Sequence, residues 1–189
     1  MKNIENETMN VAVYCSARAG LPAEVVDDAR RLGAFLGRNG HTLVYGGLSL
    51  GLMHEVADAA AGAGGKVIGV VPQSRLEYQH PANNVNLHVC TLHERKQTME
   101  ENANVFVALD GGYGTLDEVM SALATGAFFR ERKPIFLLDR NGLYRPLIDL
   151  LDGMVARGLA HPDVRARLAL CPDIKSLNEA LERVEVADA

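Results

Sequence analysis

Short apolar runs rich in β-branched residues alternate with stretches in which apolar positions recur every three or four residues, along nearly the whole chain. That alternation predicts βαβ units built around a parallel sheet. The first strand spans Val11 to Cys15. Pro22 suits a first helical turn, after which Val25, Val26, Ala29, Leu32, Phe35 and Leu36 share one face until Asn39-Gly40 stops the helix. Thr42 to Tyr45 predicts a second strand, Gly46-Gly47 a turn, Leu52 to Ala63 a second helix and Lys66 to Val71 a third strand ended by Pro72.

The polar stretch Gln73 to Asn84, with Pro81 inside it, predicts a loop lying over a strand end. Val85 to Cys90 returns to the sheet. Thr91 followed by Glu94 has capping-box spacing and opens a helix through Asn102, which leads into the fully apolar, central strand Val105 to Leu109. Thr115 to Ala127 reads as helix, Pro134 to Leu138 as strand and Leu143 to Ala156 as helix. A short extended piece and a final helix complete the chain. No linker-like gap or internal repeat divides it, so residues 1–189 are expected to form one domain, of a size that buries roughly 70% of its unfolded surface. The fold class expected is α/β: a single-domain, Rossmann-like, doubly wound parallel sheet with helices on both faces.

Composition narrows the function without naming it. At 48% hydrophobic and 23% charged residues the chain is an ordinary globular protein, and its apolar runs are too short to cross a bilayer. Met1 to Asn10 are polar and lack a secretion signal's basic start and apolar core; they read as a frayed tail on a cytoplasmic protein. Cys15, Cys90 and Cys171 lack metal-type spacing and read as structural thiols. A net charge of -5 provides no overall field for nucleic acid or an anionic membrane, so neither is an expected partner and any anionic ligand must be held locally.

Local features of that kind sit where strands meet helices, the usual ligand site of an open parallel sheet. The strongest is Asp110-Gly111-Gly112-Tyr113-Gly114-Thr115-Leu116-Asp117-Glu118. Its glycines let backbone N–H groups approach an anion, Thr115 adds a hydroxyl, and Asp117 and Glu118 place carboxylates in the first turn. It lacks both the P-loop Lys-Ser/Thr pair and the dinucleotide G-x-G-x-x-G order. His93-Glu94-Arg95-Lys96 opens the preceding helix and supplies cations that a phosphate and carboxylates require. Tyr45-Gly46-Gly47 with Gly51-Leu52-Met53, and Ser16 with Arg18, form two further junctions. The six histidines show no H-E-x-x-H spacing and no catalytic metal is expected; His93 alone lies near the proposed site.

Taken together, these motifs resemble the Lonely guy (LOG) family of cytokinin-activating phosphoribohydrolases, once misannotated as lysine decarboxylases. The family's Pro-Gly-Gly-x-Gly-Thr-x-x-Glu marker corresponds to Asp110 to Glu118, and its His-Glu/Gln-Arg-Lys stretch to His93 to Lys96. The resemblance runs from about Val11 to Leu181. It implies cofactor-free hydrolysis of the N-glycosidic bond of a nucleoside 5′-monophosphate, giving free base and ribose 5-phosphate. Arg95 and Glu118 would be the catalytic pair. Lys96, Gly112, Tyr113, Gly114, Thr115, Leu116 and Asp117 would line the nucleotide site, with Glu77 as an acidic contact from the preceding loop; Ser16, Gly46, Gly47 and Gly111, from the strand–helix junctions themselves, complete the expected substrate-binding set. It also implies a homodimer, with the apolar helix Val119 to Phe129 as a candidate interface.

Two departures stand out. Asp110 replaces the family's proline and puts a negative charge near the proposed phosphate. Ala124-Thr125-Gly126-Ala127 stands where the family has Thr-Trp-Ala-Gln, which alters the expected base pocket. The competing reading is a non-catalytic binding protein for a nucleotide or a phosphorylated cofactor. Pyridoxal phosphate chemistry is disfavoured, because Lys96, the candidate Schiff-base lysine, adjoins Arg95 at the phosphate cluster.

Overall fold

The computed structural model describes residues 8–130 and 132–185. Seven strands form one parallel sheet: β1 (Asn10–Tyr14), β2 (Thr42–Tyr45), β3 (Lys66–Pro72), β4 (Val85–Val89), β5 (Val105–Ala108), β6 (Ile135–Leu138) and β7 (Leu168–Cys171). Their spatial order is β4-β3-β2-β1-β5-β6-β7. The chain winds outward from β1 in one direction, crosses back to β5 and winds outward in the other. The doubly wound expectation holds, and the switch point falls between β1 and β5, where Val13 pairs with Val107.

Strand alternation divides the core between the two faces. Val11, Val13, Val105 and Val107 join one cluster with Leu32 and Leu36 of α1 (Ala23–Arg38), Leu52 and Val56 of α2 (Gly51–Gly62) and Leu177 of α7 (Ile174–Leu181). Ala12, Tyr14, Phe106 and Ala108 join the other with Met99 of α3 (Leu92–Glu101), Val119 and Ala122 of α4 (Tyr113–Phe129) and Ile148 of α5 (Arg145–Ala156). Each fully buried Leu or Val contributes about 1.5–3 kcal/mol. Helices α1 and α2 meet closely because a Cβ at Gly33 or Gly37 would overlap the carbonyl of Val56 or Ala60.

Four local expectations change. Much of the expected tail lies outside the described residues, but Met9 is buried in the core and Asn10 opens β1, its N–H donating to Asn104 Oδ1 at 2.8 Å. The stretch after β3 contains 3-10 turns over Gln73–Tyr78. A short helix, α6 (Pro162–Ala166), precedes β7; Pro162 stands at its first position and His161 caps it. Helix α4 starts two residues earlier than periodicity suggests, because Gly112 is already its N-cap.

Candidate active site

The capping box expected of Thr91 and Glu94 forms: each side chain accepts from the other's backbone N–H, at 3.1 Å for Glu94 N–H to Thr91 Oγ1 and 3.2 Å for the reverse bond. It fixes where α3 begins and therefore which way Arg95 points. The Arg95 guanidinium donates from Nε to the Val70 carbonyl at 3.2 Å and from Nη1 to Glu118 Oε1 at 2.8 Å. Gly46 makes room for it, since a Cβ there would overlap the guanidinium. Arg95 and Glu118, 23 residues apart in the chain, thus meet at the switch point.

Their environment decides the chemistry. The two side chains are 13% and 10% exposed. Burial pushes the Glu118 carboxyl from its ordinary 4.5 up to about 7, with Asp117 adding to the rise and Arg95 opposing it. Desolvation therefore outweighs the ion pair, and near neutrality the group exists in both protonation states. A carboxyl in that condition can take or give a proton without leaving its place.

Above the pair lies a pocket of about 320 Å³ lined by Ser16, Arg18, Met53, Arg95, Thr115 and Glu118, together with Gly112 to Gly114. No side chain caps α4, so the first-turn N–H groups after Gly112 face the pocket unpaired. A Cβ at Gly112 or Gly114 would meet nothing within 4 Å, whereas one at Gly111 would overlap the Thr115 hydroxyl. Gly111 is required by packing; Gly112 and Gly114 leave bare backbone open to a ligand, as an anion at a helix N-terminus requires. From beneath, the buried Tyr144 hydroxyl donates to the Leu109 carbonyl at 2.6 Å and fixes the strand end that feeds the turn. Ser16 joins the same structure: its N–H donates to Asp110 O at 3.0 Å and its carbonyl accepts from Leu52 N–H at 2.9 Å.

Other expected residues are placed differently. Lys96 Nζ lies 2.8 Å from both oxygens of Asp117, so these two charges satisfy each other beside the pocket instead of lining it. Tyr113 is 94% exposed and Leu116 38%. Gly47, at φ +73°, turns the chain after β2 and offers its carbonyl to His80 N–H. Glu77 lies exposed on the 3-10 turn, outside the pocket lining. Asp110 is not among the residues that line the pocket. Its carboxyl, raised by burial and then by Asp28 and Asp139, belongs to a group that Arg140 joins through a bidentate pair with Asp28. Thr125 faces a separate groove between α3 and α4 with His93 and Phe129, and a Cβ at Gly126 would overlap the Arg167 guanidinium.

Met53, the end of the Gly51-Leu52-Met53 junction, brings its Sδ to 3.9 Å from Arg95 Nη2. Motif reading missed the Val70 carbonyl, which carries no signal in sequence. It also missed that His54, Asp58 and His80 come together with ligand-type atoms within 4.8 Å of one another, the one group among the described residues that could hold a metal ion. A larger cavity, about 890 Å³, lies elsewhere, among Arg130, Pro134, His161 and Asp163. The His161–Asp163 pair on its wall, 3.6 Å apart, is exposed to solvent, unlike the buried Arg95 and Glu118.

Fold and site define a class: a switch-point α/β protein with an uncapped helix end above a buried carboxyl–guanidinium pair. A family profile described as "Possible lysine decarboxylase" matches residues 53–181. A probable cytokinin riboside 5′-monophosphate phosphoribohydrolase of Oryza sativa subsp. japonica is 40% identical over 91% of this chain and 77% of its own length. A cytokinin riboside 5′-monophosphate phosphoribohydrolase of Rhodococcoides fascians is 35% identical over 91% of this chain and 88% of its own. The molybdenum cofactor carrier protein of Chlamydomonas reinhardtii superposes with a TM-score of 0.73 at 26% identity, over 94% of this chain and 98% of that one. The chain belongs to the LOG family. No helix among the described residues is long and apolar enough to cross a membrane.

Proposed function

We propose that this protein hydrolyses the N-glycosidic bond of a nucleoside 5′-monophosphate, releasing the free base and ribose 5-phosphate. The observation that carries the proposal is the buried 2.8 Å Arg95–Glu118 pair beneath the open N-terminus of α4. The names of the relatives in rice and Rhodococcoides fascians support the same reaction.

The substrate phosphate sits on the first-turn N–H groups of α4 and the Thr115 hydroxyl, with Arg18 on the pocket wall. Breaking the ribosyl C–N bond builds oxocarbenium-like positive charge, which the ionised Glu118 stabilises while positioning a water. Water adds to the ribose carbon, one of its protons passes to Glu118, and the base departs with the bonding pair and takes up a proton from solvent, to which Glu118 then returns its own. Arg95 remains charged throughout and acts by orienting Glu118 and holding the anionic substrate. The reaction needs no cofactor.

Free-base release from AMP and isopentenyladenosine monophosphate, followed by chromatography, tests this. Release is expected in wild type and lost in Glu118→Ala and Arg95→Ala; intact nucleotides in wild type refute it. The 26% identical cofactor carrier supports a second reading, storage of a phosphorylated cofactor. A stoichiometric phosphorylated ligand copurifying with protein that releases no base would favour it. A homodimer forms part of the first reading: Leu92, Phe128 and Phe129, on α3 and α4, are 68%, 81% and 67% exposed. Sedimentation at monomer mass would refute it. The charged nucleotide substrate suits a cytoplasmic enzyme.

A further inference from the structure

The turn that seats Arg95 is tied to the segment after β3 by contacts the proposed chemistry does not use. Ser49 N–H donates to Tyr78 O at 2.7 Å and His80 N–H to Gly47 O at 2.9 Å. Leu48 and Gln79 form an isolated antiparallel bridge. Asn83 Nδ2 donates to Gly47 O at 3.2 Å while its Oδ1 accepts from the Tyr45 hydroxyl at 2.7 Å. At the centre of this seam the buried His80 ring brings Nε2 to 3.0 Å from His54 Nδ1. Asp58 stands 3.3 Å from His54 Nε2 and 3.5 Å from His80 Nε2.

Two imidazoles and a carboxylate this close suggest a cation site, but the hydrogen bonds place the protons otherwise. Ala82 N–H donates to His80 Nδ1 at 3.0 Å, which puts the lone pair on Nδ1 and the proton on Nε2, the atom a metal would need bare. His80 Nε2–H is then the donor to His54 Nδ1, and the His54 proton is on Nε2, directed at Asp58. Ser49 Oγ, 3.1 Å from His54 Nδ1, completes the set. A one-directional chain runs from Ala82 N–H through both rings to Asp58, and every ring nitrogen is satisfied while both rings are neutral.

An added proton breaks one of these bonds, and Ser49 Oγ is the acceptor left beside His54 Nδ1. On His54 Nδ1 it would face His80 Nε2–H; on His80 Nδ1 it would face Ala82 N–H. The surroundings do not compensate. Asp58 is more than half exposed, so solvent screens its attraction. From α1, Arg30, Arg31 and Arg38 line the groove that holds His54 and Asp58; Glu55 of α2 engages Arg30 at 2.6 Å, and Asp27 lies 3.9 Å from Arg31. Arg18 shares the groove on the other side of His54. Tyr45 presents its ring edgewise to His80, and His88 of β4 holds Gln79 Oε1 at 2.8 Å. Burial, with His54 adding to it, holds His80 below the ordinary imidazole range against the pull of Asp58.

We propose that His80 is a positioning residue: the neutral His54–His80 pair latches the segment after β3 onto the Gly46–Gly47 turn against which Arg95 rests, and protonation of the pair releases that latch. Its effect on catalysis rests on the hydrolase reading; the latch itself does not. Release lets Gly46 move away from the Arg95 guanidinium, and the Arg95–Glu118 pair loses one of its walls.

Hydrogen exchange on the full chain, read as protection at the Ser49 and His80 amides, tests the latch without substrate. Wild type is expected to lose roughly tenfold in protection between pH 7.5 and 5.5, equivalent to about 1.4 kcal/mol, while β1 amides keep theirs. His54→Gln retains an acceptor for His80 Nε2–H and cannot take up a proton, so its loss should be much smaller. Unchanged wild-type protection, or a His54→Gln loss equal to that of wild type, overturns the latch. In the base-release assay protonation of Glu118 sets an acid-side decline common to both proteins, so the readout is the ratio of His54→Gln to wild-type kcat/KM, which should rise between pH 7.5 and 5.5. A ratio that stays constant over that range overturns the positioning role. Absence of any base release would instead refute the hydrolase reading and leave the exchange result standing.

Discussion

Gly46→Ala is a one-methyl perturbation whose consequence follows from a single contact. The new Cβ would overlap the Arg95 guanidinium and come within 2.7 Å of Met53 Sδ. Gly46 is not among the positive-φ glycines, so no backbone strain enters. The thioether can rotate away. The guanidinium cannot without stretching its 2.8 Å bond to Glu118 and its 3.2 Å bond to Val70 O. Overpacking of this kind costs about 1–3 kcal/mol, and a domain of this size loses roughly 2–4 °C of Tm for each kcal/mol. If Arg95 and Glu118 act on substrate together, displacing one by about 1 Å lowers kcat/KM by about a hundredfold. A double-mutant cycle separates this from generic damage. In an Arg95→Ala background the obstacle is absent, so Gly46→Ala should cost little, giving a coupling of roughly 0.5–3 kcal/mol in thermal or urea unfolding. Additive costs, or a Gly46→Ala single variant with wild-type Tm and activity, would refute the argument that Gly46 exists to seat Arg95.

Three further outcomes follow from the same geometry. Glu118 titrates higher when folded than unfolded, so its ionisation destabilises the fold as pH rises above 4.5, and the full cost, roughly 3 kcal/mol for a rise to about 7, is reached above about 7. Glu118→Gln should therefore be more stable than wild type at pH 8, with the difference vanishing at pH 4 in urea titrations; equal midpoints at pH 8 would refute the raised carboxyl. His41, like His80, is held below the ordinary imidazole range by burial, and its Nδ1 accepts Met9 N–H at 3.3 Å. The stability tied to both is present above about pH 6.5 and falls as pH drops below it, so His41→Gln should flatten the urea-midpoint decline between pH 6.5 and 5, and an unaltered slope would count against it. Tyr144→Phe strands the buried Leu109 carbonyl and should cost about 1–3 kcal/mol; a loss below about 0.5 kcal/mol would show that the strand end is not held this way.

Hydrophobic periodicity located the seven strands and nearly all the helices, because positions alternating along a strand or recurring along a helix must reach one apolar face whatever surrounds them. The Thr91–Glu94 capping box and the glycine turn were legible for the same reason: both are contacts or conformations confined to a few consecutive residues. Spacing could not show that Gly112 already caps α4, that Lys96 engages Asp117 beside the pocket, or that Asp110 joins Asp28 and Arg140. Those outcomes depend on which way a helix end or a side chain turns once its neighbours are in place. The sequence by itself therefore determined a parallel α/β sheet with chemistry at its strand ends, through forces that act over one or two turns of chain. Only the tertiary structure decided that Arg95 and Glu118 meet, that burial lifts Glu118 toward neutrality, and that His54, Asp58 and His80 form a seam. Each of those depends on distance and dielectric between segments far apart in the chain, which exist only after the sheet has closed its order around β1 and β5.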